Sequence, residues 1–210
     1  MATEHAHAAG HAAHHDEHVD HQGNANFAVW CGLAALTFTT GTFVASNVYL
    51  RAWSPTKFVL DDTLLKDLPY FAVLFSIIST VLLLIAASFF VRNKWRAFNG
   101  TLALAALTYA VVLLTQFRLM IWFAGYSKQV ATIYAPTAAI QFLVNLVGMI
   151  LLAVAGWYSS FPNKASINKF FPVAMNVWLY SAVSGILILI IENVITWGQF
   201  AAWCGIKLTS

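Results

Sequence analysis

An uncharged stretch near the N-terminus, residues 27–50, constrains the fold of this chain more than any other feature. At about 1.5 Å rise per residue it is long enough, before Arg51 closes it, to cross a hydrocarbon layer of roughly 30 Å. Four further apolar runs follow, over residues 70–91, 99–123, 134–158 and 173–198. The sequence therefore predicts an all-α polytopic membrane protein, in which residues 27–210 form one bundle of five transmembrane helices.

The composition supports this prediction. Apolar residues make up 60% of the chain and charged residues only 9%, with a mean hydropathy of +0.72. The formal net charge of +3 is small and scattered, which argues against a nucleic-acid partner. The first span is rich in small residues, among them Gly32, Ala35 and Gly41, and small residues let helices approach closely in lipid. We therefore expect this span to be a bundle helix and not a lone anchor.

The first 26 residues form a polar leader that contains all seven histidines and no Lys or Arg. It has too little apolar surface to offset its chain entropy, so we expect it to be disordered, and it lacks the basic start and short apolar core of a secretory signal. Two interpretations stay open. The leader is a solvated tail, or its imidazoles bind Zn²⁺ or Cu²⁺ together with neighbouring acids, with candidate ligands His14, His15, His18 and His21.

Loop lengths and basic residues predict the topology. The connections after the second span are short, so consecutive helices should be antiparallel neighbours, whereas the first connection, residues 52–69, has room for a short interfacial helix. The densest basic cluster without acids is Arg92, Lys94 and Arg96, in the loop between the second and third spans. Basic residues in short loops favour the cytoplasm, which places the N-terminus inside.

The predicted spans lack the residues of an independent catalytic centre. No histidine follows His21, so no span supplies imidazole to haem or copper, and Glu192 is the only carboxylate in the spans. The sequence also has no phosphate-binding glycine loop and no nucleophile elbow. We therefore predict no catalytic residues, no cofactor and no metal held within the membrane. Such a chain is typical of an accessory subunit in a larger assembly.

Polar residues nevertheless enter the spans. Arg118 and Glu192 fall at similar distances from the predicted ends of the third and fifth spans. The hypothesis is that they form a direct or water-bridged ion pair, or that each meets a polar group of a neighbouring subunit; alternatively each reaches the headgroups alone. The amides are more typical of interhelical hydrogen bonds than of a pathway; these are Gln116, Gln141, Asn145, Asn176 and Asn193. Three glycines are predicted to be points of close helix packing, namely Gly148, Gly156 and Gly185.

The order of these elements resembles subunit III of haem-copper oxidases, in the short five-helix form found in bacterial quinol oxidases. Most of the resemblance lies in the first span, whose aromatic, Leu-Ala, Gly and Arg residues follow the order typical of the family. These residues are Phe27, Trp30, Leu33, Ala34, Phe38, Gly41, Phe43, Val44, Ala45 and Arg51. The His- and Ala-rich leader is similar too. So are the basic loop after the second span and the later Gln116, Tyr134, Thr137 and Trp178.

The chain departs from that family at its polar positions. Leu36 and Leu119 stand where the family has membrane glutamates, residues 140–144 contain no histidine, and the signature of the last span is replaced by Trp178-Leu179-Tyr180-Ser181-Ala182. The resemblance thus implies a diverged, scaffold-only relative in a bacterial cytoplasmic membrane. It would bind phospholipid and pack on a catalytic subunit that holds the haem and copper.

Two alternatives remain open at this point. One is an accessory subunit of another membrane redox complex, such as a quinol-oxidising complex or a membrane monooxygenase. The other is a small metal-handling membrane protein whose leader captures ions and whose spans line a path with Arg118, Glu192 and Asn145. The spans contain no His, and their few Cys and Met residues (Cys31, Met120, Met149 and Met175) are isolated, which argues against a path with ligands along its depth.

Overall fold

The computed structural model describes the backbone at residues 21–54, 58 and 63–194, and the side chains at residues 23–54, 58 and 67–192. Within these residues the chain is helical, with no strand. Five helices are long and apolar enough to span a membrane, which confirms the predicted fold class. Most of the His-rich leader, the middle of the first connection and the C-terminal segment with Cys204 lie outside the described residues.

The helices extend beyond the predicted spans at most of their ends. They are α1 (His21–Trp53), α2 (Thr63–Val91), α3 (Trp95–Gly125), α4 (Lys128–Ser160) and α5 (Ala165–Leu189). Helix α1 begins inside the segment that the sequence assigned to the disordered leader. The first connection is also shorter than predicted, because α2 begins at Thr63 and contains Pro69.

The last predicted span changes its helical form near its end. Helix α5 stops at Leu189 and continues as a π-helical segment, Ile190–Val194. Three helices contain an internal proline, at Pro69, Pro136 and Pro172. Proline is tolerated within membrane helices because neighbouring groups satisfy the backbone carbonyls that it frees.

Helices α2 to α5 form the body of the bundle. Helix α2 packs on α3, α3 on α4 and α4 on α5, and a contact between α2 and α5 closes the ring. The tight turn after α2 is made possible by Asn93, which adopts a positive φ of 54°, a conformation that Asn tolerates better than most residues. For these four helices the prediction of sequential neighbours is confirmed. Helix α1 differs, since it packs mainly against α4 and α5 instead of α2.

The interior of the bundle is built in layers. One apolar cluster surrounds Phe98, Phe171 and Trp178, at the end where α2 turns into α3. A second cluster surrounds Leu119, Phe123 and Tyr134, at the opposite end. Between them lies a belt of buried polar side chains from α3, α4 and α5, which includes Gln116, Gln141, Asn145 and Ser181. This polar belt is the feature that the functional site is built on.

Candidate functional site

A hydrogen-bonded cluster at the centre of the belt joins three helices through Asn145 of α4. The Tyr109 hydroxyl of α3 donates to Asn145 Oδ1 over 3.1 Å, and the Ser181 hydroxyl of α5 donates to the same oxygen. The Tyr109 and Ser181 oxygens lie 3.1 Å apart. All three residues are buried. Asn145 therefore acts as the interhelical hydrogen-bond residue that the sequence predicted.

Two further bonds fix α4 against α5. Gln141 Nε2 donates to the Ser181 backbone oxygen over 3.0 Å, and Trp178 Nε1 donates to the Gly148 backbone oxygen over 2.7 Å. Buried polar groups are costly unless they are hydrogen-bonded, so these bonds favour one rotation of α5 about its axis. Gln141 is thus a second amide in the predicted role.

The glycines show where helices approach most closely. A Cβ atom at Gly185 would lie 2.6 Å from Gln141 Nε2, and one at Gly148 would collide with the Tyr109 hydroxyl. At Gly156 a Cβ atom would have no neighbour within 4 Å. Gly148 and Gly185 are therefore close-packing points as predicted, while the prediction for Gly156 is wrong because no other helix faces it closely.

A second polar cluster lies where α1 meets the π-helical segment. The side chain of Glu192 is buried, with the Thr137 hydroxyl and the charge of Arg51 as its polar neighbours. Arg51 Nη1 donates to the Glu192 backbone oxygen over 2.8 Å and to the Ile191 backbone oxygen over 3.4 Å. The guanidinium of Arg51 also lies over the ring of Tyr134. Arg51 thus contributes both charge and donors to this junction.

Asn47 holds α1 to α4 one helical turn before Arg51. It is fully buried, and its Nδ2 donates to the Ile133 backbone oxygen over 3.1 Å. Its Oδ1 and the Oε1 of Glu192 are both buried acceptors without a hydrogen-bond partner. Both side chains adjoin the same stretch of α4, Ile133 to Thr137. The junction of α1, α4 and the π-helical segment therefore concentrates polar groups that are only partly satisfied.

Gln116 is the remaining predicted site residue of the interior. It is 2% exposed and lines a narrow cavity of about 10 Å³ together with Gln141 and Glu192. A cavity of that volume has room for about one water molecule and for nothing larger. The space between the two polar clusters therefore has no room for a haem, a quinone or a lipid chain.

The structure does not pair Arg118 with Glu192. Arg118 is exposed on α3, beside the buried Leu119, whereas Glu192 is buried and has Arg51 as its basic neighbour. No ion pair or hydrogen bond joins the two in the described part of the chain. The hypothesis of a pair is wrong because equal depth along two helices does not bring side chains together when they point to different sides.

Sequence reasoning missed several residues of these clusters. It did not single out Tyr109, Ser181 or Asn47, and it treated Arg51 only as the end of a span. One signal was present for α1, since Asn47 and Arg51 are four residues apart and therefore share a helix face. Nothing comparable marked Tyr109, because a tyrosine in an apolar helix has the same pattern whether it faces lipid or the core.

The described residues contain no group of three or more His, Cys, Asp or Glu that would hold a metal ion. Of the candidate ligands in the leader, His14, His15 and His18 lie outside the described residues, and for His21 only the backbone is described.

Chemically, the two polar clusters hold the helices to one another through hydrogen bonds and charge. The fold and the site define a multi-pass α-helical membrane protein. Comparison with protein-family models, curated proteins and solved structures finds no match to this chain.

Proposed function

We propose that the chain is a non-catalytic integral subunit of a respiratory electron-transfer complex, resembling subunit III of the haem-copper oxidases. In this function it packs on the catalytic subunit, which carries the haem and copper, and holds phospholipid on its outer surface. It belongs to a bacterial cytoplasmic membrane with its N-terminus inside. The chain itself supplies no catalytic residue.

One observation carries the proposal, and it concerns the free side of α1. Only 11% of the most apolar part of this helix is buried in the bundle. On its exposed side five small residues follow one another at alternating spacings of three and four: Gly32, Ala35, Thr39, Thr42 and Ser46. We call this row the α1 seam. Such spacing keeps the residues on one line of a helix that packs against another helix.

The chemistry of the α1 seam suits a protein partner. Small residues at a helix contact in lipid allow two backbones to approach closely, which is the main source of attraction there. The hydroxyls of Thr39, Thr42 and Ser46 donate to backbone oxygens four residues earlier, so they leave no donor unsatisfied at a dry contact. A Cβ atom at Gly32 would have no neighbour within 4 Å, so no other described residue covers that end of the seam.

The interior of the bundle supports the non-catalytic part of the proposal. The side chains of Tyr109, Asn145 and Gln141 form hydrogen bonds between helices, and the cavity beside Gln141 is about 10 Å³. An accessory subunit of another membrane redox complex would use the same seam. The identity of the bound partner therefore separates these two candidates.

The test is isolation of the tagged chain from its own membranes in mild detergent, followed by identification of the co-purifying subunits and a haem spectrum. We expect a haem-containing subunit to co-purify with the wild-type chain. Ala35→Leu places bulk in the seam and should reduce that recovery about tenfold, the effect of an overpacked helix contact. Ala34→Leu is the matched control, because Ala34 is also exposed but faces away from the seam.

The outcomes are distinct. Co-purification with a redox subunit of another class would favour the second candidate. Isolation of the wild-type chain without any redox subunit would overturn the proposal. Equal recovery for Ala35→Leu and Ala34→Leu would show that the α1 seam is not the contact.

A further inference from the structure

Arg118 is a charged residue within a membrane helix that faces away from its own bundle. It is exposed, and no acidic side chain among the described residues forms an ion pair with it. Glu192 is engaged at the α1 junction, and the exposed Asp67 at the start of α2 is not paired with Arg118. A charge within a membrane span is costly unless it meets an opposite charge or water. Any opposite charge that Arg118 meets therefore lies outside the described residues.

An apolar groove runs past this residue. It has a volume of about 840 Å³ and lies between the first turns of α2, represented by Leu68, and the last turns of α3. Among the described residues that line it, Arg118 is the one charged side chain and the others are apolar or aromatic, Phe117 and Trp122 included. The groove thus combines an elongated apolar wall with one cation, the arrangement that fits an acyl chain joined to an anion.

The depth of Arg118 matches the level of lipid phosphate. Helix α3 has 31 residues and is therefore about 46 Å long, which exceeds a hydrocarbon core of roughly 30 Å by about 8 Å at each end. Arg118 precedes the last residue, Gly125, by about two turns, or roughly 10 Å. Its Cα atom then lies close to the edge of the hydrocarbon, and its flexible side chain extends towards the headgroups.

We propose that this groove binds one anionic phospholipid, with an acyl chain against Leu114 and Phe117 and the phosphate on the guanidinium of Arg118. The planar guanidinium offers paired N–H donors that match two phosphate oxygens. A net negative lipid is favoured over a zwitterionic one because it adds no cation beside Arg118. Lys128, exposed at the start of α4 on the same side of the bundle, adds to the positive potential. The inference deepens the lipid-binding part of the proposed function and rests on it.

Trp122 makes the site measurable because it lines the same groove. The full-length chain is reconstituted in phosphatidylcholine vesicles that contain brominated phosphatidylglycerol or brominated phosphatidylcholine, and tryptophan quenching is recorded. The difference between the wild-type chain and Trp122→Phe isolates the quenching of Trp122. We expect the apparent affinity at Trp122 to be about tenfold higher for phosphatidylglycerol, as a charge-assisted bond to phosphate predicts.

Arg118→Gln should abolish this preference, and Arg118→Lys, which keeps the charge without the planar donors, should retain part of it. The matched control is Arg92→Gln, which removes an exposed arginine in the loop at the opposite end of the bundle and should leave the preference unchanged. Equal quenching by the two lipids, or equal loss in Arg118→Gln and Arg92→Gln, would overturn the proposal. So would an acidic side chain of another subunit in contact with Arg118 in the purified complex. Because the vesicles contain no other protein, the result is independent of the co-purification experiment.

Discussion

Arg51 and Glu192 illustrate how a charge near the end of a membrane helix is stabilised. Arg51 donates to two backbone oxygens of the segment that contains Glu192, and its charge lies within reach of the buried carboxyl group. Removing one partner of such a pair strands the other, which costs more than removing both. The two residues should therefore behave as one unit in stability measurements.

A double-mutant cycle tests this coupling. We expect Arg51→Leu and Glu192→Gln each to lower the free energy of unfolding, and the double mutant to lose less than the sum, with a coupling of about 0.5–3 kcal/mol. The measurement is denaturant unfolding of the purified chain in detergent. Arg118→Leu combined with Glu192→Gln is the control and should be additive within about 0.5 kcal/mol, since the two side chains do not meet. A coupling energy above that limit in the control cycle would indicate that Arg118 and Glu192 interact, contrary to the structure.

At the scale of the helix, α4 is the central element of the bundle. It contacts α1, α3 and α5, and it is bonded to each of them through a buried side chain or a backbone oxygen. Its apolar residues alone would allow several rotations about its axis. The hydrogen bonds of Asn145 and Gln141, together with the absence of a side chain at Gly148, favour one of these rotations.

The glycines of α4 provide a matched test of that selection. Gly148→Ala should lower the free energy of unfolding by about 1–3 kcal/mol, because the added methyl group displaces the Tyr109 hydroxyl from its bonds to α4 and α5. Gly156→Ala on the same helix adds a methyl group into open space and should leave stability unchanged or raise it by up to about 1 kcal/mol. Equal losses for the two variants in denaturant unfolding would contradict the close packing at Gly148.

At the scale of the whole molecule, the chain divides into a polar leader and a membrane bundle with separate chemistries. Every histidine is at or before His21, and the described bundle contains no cluster of metal-ligating residues. Tight binding of a metal ion should therefore require the leader, whereas the stability of the helical bundle should depend on its own hydrogen bonds and apolar packing.

Deletion of residues 1–20 together with His21→Ala tests this division. We expect the shortened chain to keep its helical content, to remain associated with its complex and to bind no stoichiometric Zn²⁺ or Cu²⁺. The measurements are circular dichroism, recovery of the complex and metal analysis after dialysis. A full-length chain treated in the same way is the control. A metal ion retained by the shortened chain would require a site among residues that the sequence does not mark as ligands.

The sequence by itself determined the class of fold, the five helices and the absence of histidine after His21, the first residue of α1. These properties follow from composition summed over a single helix, because the cost of burying charge in hydrocarbon depends on each segment alone. The sequence also marked Asn145 and Gln141 as hydrogen-bonding residues and Gly148 and Gly185 as close contacts. Within lipid, small residues and amides are typical of close helix contacts and of hydrogen bonds between helices.

Only the tertiary structure decided which polar residues meet. It placed Arg51 with Glu192, turned Arg118 out towards an apolar groove, and left Gly156 without a close neighbour. It also put α1 against α4 and α5, although the helix next in sequence is α2. The physical reason is that a pair between helices depends on the rotation of each helix and on the choice of neighbour. Both are set by the packing of the whole bundle, and no single segment encodes them.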